Sequence, residues 1–220
     1  MIDQSLTCEA ELQFFGQMNA SISHEIRNVL AVINENAGLM KDLLYMADKG
    51  GPIDLSRIMT LTGKVLDQVN RANGIVGNMN RFAHSIDNIF AHVDLVDCLG
   101  FVAVLSSRFA AIKGVILELA PDQESVEIHS SPFLLQNLFY LCIDYAMRSA
   151  GKEKKVVMTV KKAGGGAEIL FHGLEASQEA SGEGISGRVI KDLLERLGAK
   201  IELNPAKGNI LIVLPEKIGT

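Results

Sequence analysis

Ser21-Ile-Ser-His-Glu-Ile-Arg-Asn28 sits inside a run whose apolar residues recur at three- and four-residue steps. Phe15, Met18, Ile22, Ile26, Val29, Ile33, Met40 and Leu43 carry that run, and the period is that of an amphipathic helix. His24 follows Ile22 by two positions, about 200° round the helix, so it is expected to face away from the seam. Arg27 and Asn28 share its face at i+3 and i+4, and Glu25 falls on the flank. Ala20 and Ala31, one and two turns away, keep that face open. Neutral imidazole is nucleophilic near neutral pH. A neighbouring carboxylate can hold its tautomer or accept its proton, and an amide one turn below can orient a water or an incoming phosphoryl group. From spacing alone, a solvated surface histidine is the more ordinary reading of such a position.

Outward from this stretch, the helix is expected to run from a frayed start over residues 1 to 8, where Asp3, Ser5 or Thr7 could cap it, to about Asp48. Roughly forty residues make a rod of about 60 Å. Gly50-Gly51-Pro52 breaks it, and Asp54 or Ser56 caps a second helix. Ile58, Leu61, Val65, Val69, Ala72, Val76, Met79, Phe82 and Ile86 form the second stripe. Two long amphipathic helices joined by a short loop make a hairpin, and pairing two hairpins in a four-helix bundle covers both stripes. A homodimer is expected on that ground.

Beyond about residue 90 the texture changes. Val93–Leu95 is a short strand, and Asp94 or Asp97 starts an apolar helix to about Ala111. Val115–Leu119 and Ser125–His129 alternate as strands. Pro132 opens a helix to about Ala150. Lys155–Lys161 and Ala167–Phe171 pair around Gly164, Gly165 and Gly166. A helix over 187–197 and strands at Ile201–Leu203 and Asn209–Leu214 close the chain. The result is an α+β protein: a helical hairpin over 1–90, then an α/β sandwich over 91–220 with one mixed sheet under three helices.

The chain has 220 residues, 21 Lys and Arg against 26 Asp and Glu, and a net charge of −5. That balance does not suggest a nucleic-acid partner. Cys8, Cys98 and Cys142 lack metal-ligand spacing and cannot all pair, so they read as free thiols of a reducing compartment, with Cys142 in the core. No signal peptide or apolar run of spanning length is expected, hence no membrane, and no metal site stands out.

The residues from Phe14 to Ile33 resemble the H-box of sensor histidine kinases. The likeness includes the His-Glu-x-x-Asn core, the preceding Ser23 and the apolar residues behind it, with Val29 where the family often has Pro. The resemblance implies that His24 accepts a phosphoryl group, that Glu25 is the acid/base, and that Asn28 positions water in dephosphorylation. It also implies a partner, the receiver domain of a response regulator, whose Asp exchanges the phosphoryl group.

The second half is similar to the ATP-binding domain of histidine kinases, shared with the gyrase and Hsp90 type of ATPase. Phe133 to Ala146 lines up with the N-box helix, with Asp144 where the family has a magnesium-handling Asn. Tyr140 replaces the first family Asn and Tyr145 a small residue. The family's Asp-x-Gly-x-Gly, whose Asp reads adenine, has no counterpart at Phe171-His172-Gly173-Leu174. Gly182-Glu-Gly184-Ile-Ser-Gly187 resembles the second glycine box, whose backbone N–H groups can face phosphate. By this resemblance Asp144, Gly182, Gly184 and Gly187 are the nucleotide-binding candidates. No cofactor is expected, and ATP with Mg only if the second domain is active. The reading is a cytoplasmic two-component phosphotransfer protein with a degenerate ATPase-like domain. The alternatives are an active kinase that autophosphorylates His24, and a non-enzymatic dimeric adaptor or inhibitor.

Overall fold

The structure is a computed structural model that describes residues 4–175 and 187–218. The chain forms two compact units, one of residues 16–83, the other of the residues up to Phe15 together with those from His84 onward.

The first unit is a helical hairpin. Helix α1 (Gln4–Asp48) contributes all but its first turns, and α2 (Leu55–Ala83) returns. Ser5 and Thr7 lie inside α1, and Asp3 lies outside the described residues. The helix stops where Gly50 enters the left-handed region at φ 90. Gly51 N donates to Met46 O at 3.1 Å and Gly50 N to Ala47 O at 3.0 Å. This pair of crossed bonds closes the orphan carbonyls of the last turn. The Asp54 carboxylate then accepts from Arg57 N at 2.9 Å and caps α2.

The seam of α2 departs from the expected stripe after Val65. Ile58, Leu61, Val65, Gln68, Ala72, Ile75, Met79 and Phe82 are buried or half-buried, whereas Val69, Val76 and Ile86 are exposed. Steps of three and four both keep a residue near one helix face, so the choice of Gln68 over Val69 and of Ile75 over Val76 belongs to packing. On α1, Phe14 takes the buried position expected of Phe15. Asn36 is buried in the α1 seam, where its Nδ2 donates to Val32 O at 2.7 Å. Leu30, Leu44, Leu66 and Val69 stay exposed in the single chain.

The second unit is built on a five-stranded mixed sheet. Its strands are β2 (Ile116–Leu119), β4 (Lys155–Ala163), β5 (Gly166–His172), β6 (Lys200–Asn204) and β7 (Asn209–Pro215), in the order β2-β4-β5-β7-β6. Only β2 and β4 run parallel. The expected single sheet is divided. Strands β1 (Ala91–Asp94) and β3 (Glu127–Ser130) pair with each other as a separate antiparallel ribbon. Each is four residues long and buries one face, through Val93 and Ile128. Each also runs directly into a helix, which leaves no length to join the main sheet.

Helices α3 (Leu95–Lys113), α4 (Pro132–Arg148) and α5 (Arg188–Leu197) complete the unit. Asp94 caps α3, accepting from Val96 N at 2.9 Å and Asp97 N at 3.3 Å. Gly114, at φ 63, ends it. By length and composition alone α3 could cross a membrane, contrary to the expected absence of such a run. Here its Leu95, Leu99 and Val102 are wholly buried, as in a core helix. Helix α4 is apolar nearly all round, as a central helix must be. Leu135, Leu138, Phe139 and Ile143 are fully enclosed, each removing about 1.5–3 kcal/mol of apolar surface from water. The β4–β5 hairpin turns on Gly164 and Gly165, at φ 47 and 89. Two positive φ values in a two-residue loop match the right-handed twist of the flanking strands.

Candidate functional site

His24, Glu25 and Asn28 lie in unbroken helix, so the helical period alone sets their faces. Asn28 Nδ2 stands 3.2 Å from His24 Nδ1, which realises the expected i+4 pair. His24 and Glu25 are half-buried and Asn28 is exposed. With the amide nitrogen facing Nδ1, Asn28 donates and the ring proton sits on Nε2. With the amide turned over, Oδ1 accepts a proton from Nδ1 and the Nε2 lone pair is free. One carboxamide therefore serves either tautomer, and Nε2 is the ring nitrogen it leaves accessible.

The second set of candidates lies on α4 and before α5. Asp144 is held by two cations, Lys113 Nζ at 2.8 Å from α3 and Arg148 Nε at 3.1 Å from the next turn of α4. Arg148 also lies over the Tyr145 ring, 5.9 Å from its centroid. A carboxylate already matched by two positive charges is a poor ligand for a divalent ion. Gly187 precedes α5 in extended conformation with no side-chain cap. Gly182 and Gly184 lie outside the described residues. Phe171 is fully buried in β5, and Gly173 follows at φ 92 with Lys155 O only 2.1 Å from where a Cβ would stand. The described residues thus place Asp144 in two ion pairs and no carboxylate at 171–174. Among them, no three His, Cys, Asp or Glu side chains gather as metal ligands.

Several features of this region were not read from the sequence. Lys113, 31 residues from Asp144, has no local signal that marks it as a partner. Gln136 and Asn137 are buried, with Oε1 and Nδ2 unpartnered. A polar pair inside an otherwise apolar helix was the available signal. Cys142 is wholly buried, and burial pushes its thiol up, which keeps it unreactive.

Tyr140, one turn before Asp144, has its phenol pushed up to about 12, first by burial and then by the Asp144 charge, with Arg148 opposing. The fold therefore holds a neutral phenol where the unfolded chain would ionise near 10. The associated stability is complete below that value and is lost as pH rises towards 12. Urea melts at roughly pH 9 and pH 11 are expected to show a smaller loss in Tyr140→Phe than in wild type. Equal losses would show that Tyr140 ionises freely in the fold.

No protein-family model matches the chain, and no curated protein matches it. Among solved structures it is similar to the catalytic domain of histidine kinase ThkA, at 14% identity and TM-score 0.47, over 59% of this chain and 99% of that one. It is similar to Acinetobacter baumannii histidine kinase AdeS at 14% identity and TM-score 0.48, over 88% of this chain and 98% of that one. A third is the ATP-binding domain of PrrB from Mycobacterium tuberculosis, at 20% identity and TM-score 0.46, over 58% and 98%.

Proposed function

We propose that this chain carries a phosphoryl group on His24 and exchanges it with an aspartate of a response regulator receiver domain in the cytoplasm. The observation that carries the reading is the His24–Asn28 pair at 3.2 Å on one face of continuous helix, within the stretch that resembles an H-box. In the transfer step the Nε2 lone pair attacks phosphorus. A P–N bond forms as the P–O bond to the receiver's aspartate breaks, and the carboxylate leaves. Magnesium on the receiver offsets the oxygen charges. The proton stays on Nδ1, which donates to Asn28 Oδ1 once the amide is turned over, and Glu25 beside the ring offsets the charge of the phosphorylated imidazolium.

The second unit serves in this reading as a scaffold without nucleotide. The pairing of Asp144 with Lys113 and Arg148 supports that role, as does the buried Phe171. Two hairpins pair as a homodimer, which covers the exposed Leu30, Leu44, Leu66 and Val69.

The test presents the chain with two labelled donors, a receiver domain phosphorylated on its aspartate and Mg-ATP. Label is expected to pass from the receiver in an acid-labile, base-stable form and not from Mg-ATP at millimolar concentration. Label from Mg-ATP would make the chain a kinase with a rewritten pocket. Label from neither donor would leave it an adaptor.

A further inference from the structure

The first turns of α1 fold with the second unit. Phe14 is buried to 3% exposure. Its ring lies 5.2 Å from that of Tyr140 and 5.8 Å from that of Phe133, both on α4. Phe109 of α3 closes on Tyr140 from another side, at 6.3 Å. One turn before Phe14, the Glu11 carboxylate pairs with the Arg196 guanidinium on α5. Arg196 is itself steadied by Asp192 Oδ2 at 3.5 Å. Leu12, between them in sequence, is exposed, so the contact is made by one helical face.

We propose that the α4–α5 face is a helix-binding surface, filled in cis by residues 4–15 of the same chain. It has two recognition features at helical spacing. An aromatic seat formed by Phe133 and Tyr140 takes a ring, and Arg196 takes a carboxylate three residues earlier on the incoming helix. Glu11 and Phe14 supply that pair. The two features sit on different helices, so an occupant must span α4 and α5, which one face of a helix does and a lone side chain does not. This surface goes beyond phosphoryl carriage at His24 and does not depend on it.

The test uses the full chain with Glu11→Lys and Phe14→Ala together, which empties the surface, and a helix-stapled peptide of residues 4–16 as probe. Stapling removes the cost of ordering a short helix. The peptide is expected to bind the double variant one to one by calorimetry. It should bind wild type at least roughly tenfold more weakly, because the cis segment already fills the surface. A further Arg196→Glu change should abolish binding. No binding to the emptied chain would overturn the proposal, and so would equal binding to both chains or binding indifferent to Arg196. If the double variant fails to fold, Glu11→Arg and Arg196→Glu provide the second arm. Each alone should lower the thermal midpoint and the pair together restore it, whereas additive losses would sink the idea. Neither arm reads phosphoryl transfer, so this proposal can fail while the reading of His24 stands.

Discussion

On the proposed reading, His24→Gln is expected to abolish phosphoryl uptake from a phosphorylated receiver domain and to leave the fold unchanged. Glutamine approximates the length of histidine and keeps a polar end, but its amide nitrogen lone pair is delocalised and does not attack phosphorus. Uptake should fall to background, not by a few-fold, because no neighbour can replace the nucleophile. Asn28 is an amide as well, and Glu25 would give an acyl phosphate that hydrolyses readily. His24 is half-buried in a helix, and glutamine has the better helix propensity, so the urea midpoint should move by no more than about 0.5 kcal/mol in stability. The measurement is label retained after gel separation, with far-UV circular dichroism as the folding control. Label retained by His24→Gln would place the acceptor elsewhere, among His84, His92, His129 and His172, and would end the H-box reading.

Gly166→Ala is expected to be strongly damaging to the second unit. Gly166 opens β5 against β7, in register with Pro215. A Cβ at this position would stand 2.0 Å from Leu214 O and 3.0 Å from Pro215 Cα. Both are backbone atoms of a central strand, so no side chain can swing aside. Relief requires β7 to shift. That strains the Glu216 N to Gly165 O bond of 2.9 Å and the pairing of β7 with β6. A loss of about 3 kcal/mol or more is expected, read as a lower urea midpoint at unchanged slope. Gly63→Ala in α2 is the control of opposite sign. Nothing lies within 4 Å of its Cβ position, so alanine should stabilise by about 0.5–1 kcal/mol through helix propensity and the unfolded chain. If both alanines behave alike, the close approach of β7 to Gly166 is wrong.

The site divides in the same way as the fold between what was legible in sequence and what was not. His24 and Asn28 are four residues apart in one unbroken helix, and their 3.2 Å contact follows from the helical period once the helix is recognised. Asp144 was singled out from the sequence by its place in the helix opened by Pro132, but its ion pairs were not. Its partner Lys113 comes from α3, and no local pattern joins the two. The contact of Phe14 and Glu11 with α4 and α5 was likewise invisible, since neither residue belongs to the expected α1 stripe and their partners are far along the chain.

By itself the sequence marked the order of helices and strands and most of their ends to within a few residues. Gly50, Asp54, Asp94, Gly114, Pro132 and Gly164 act on their own backbone within one turn, by capping, by φ or by a missing donor. It also determined the alternation of β4, β5 and β7 and the shared face of His24 and Asn28. Only the tertiary structure decided that Gln68 and Ile75, not Val69 and Val76, face the seam. It alone decided that β1 and β3 leave the main sheet, and that Asp144 pairs with Lys113 and Arg148. The reason is range. Periodicity and capping depend on a few consecutive residues. The partner of a charge, the register of a strand and the choice between steps of three and four depend on residues brought together from distant parts of the chain, where close packing selects among arrangements that are locally equivalent.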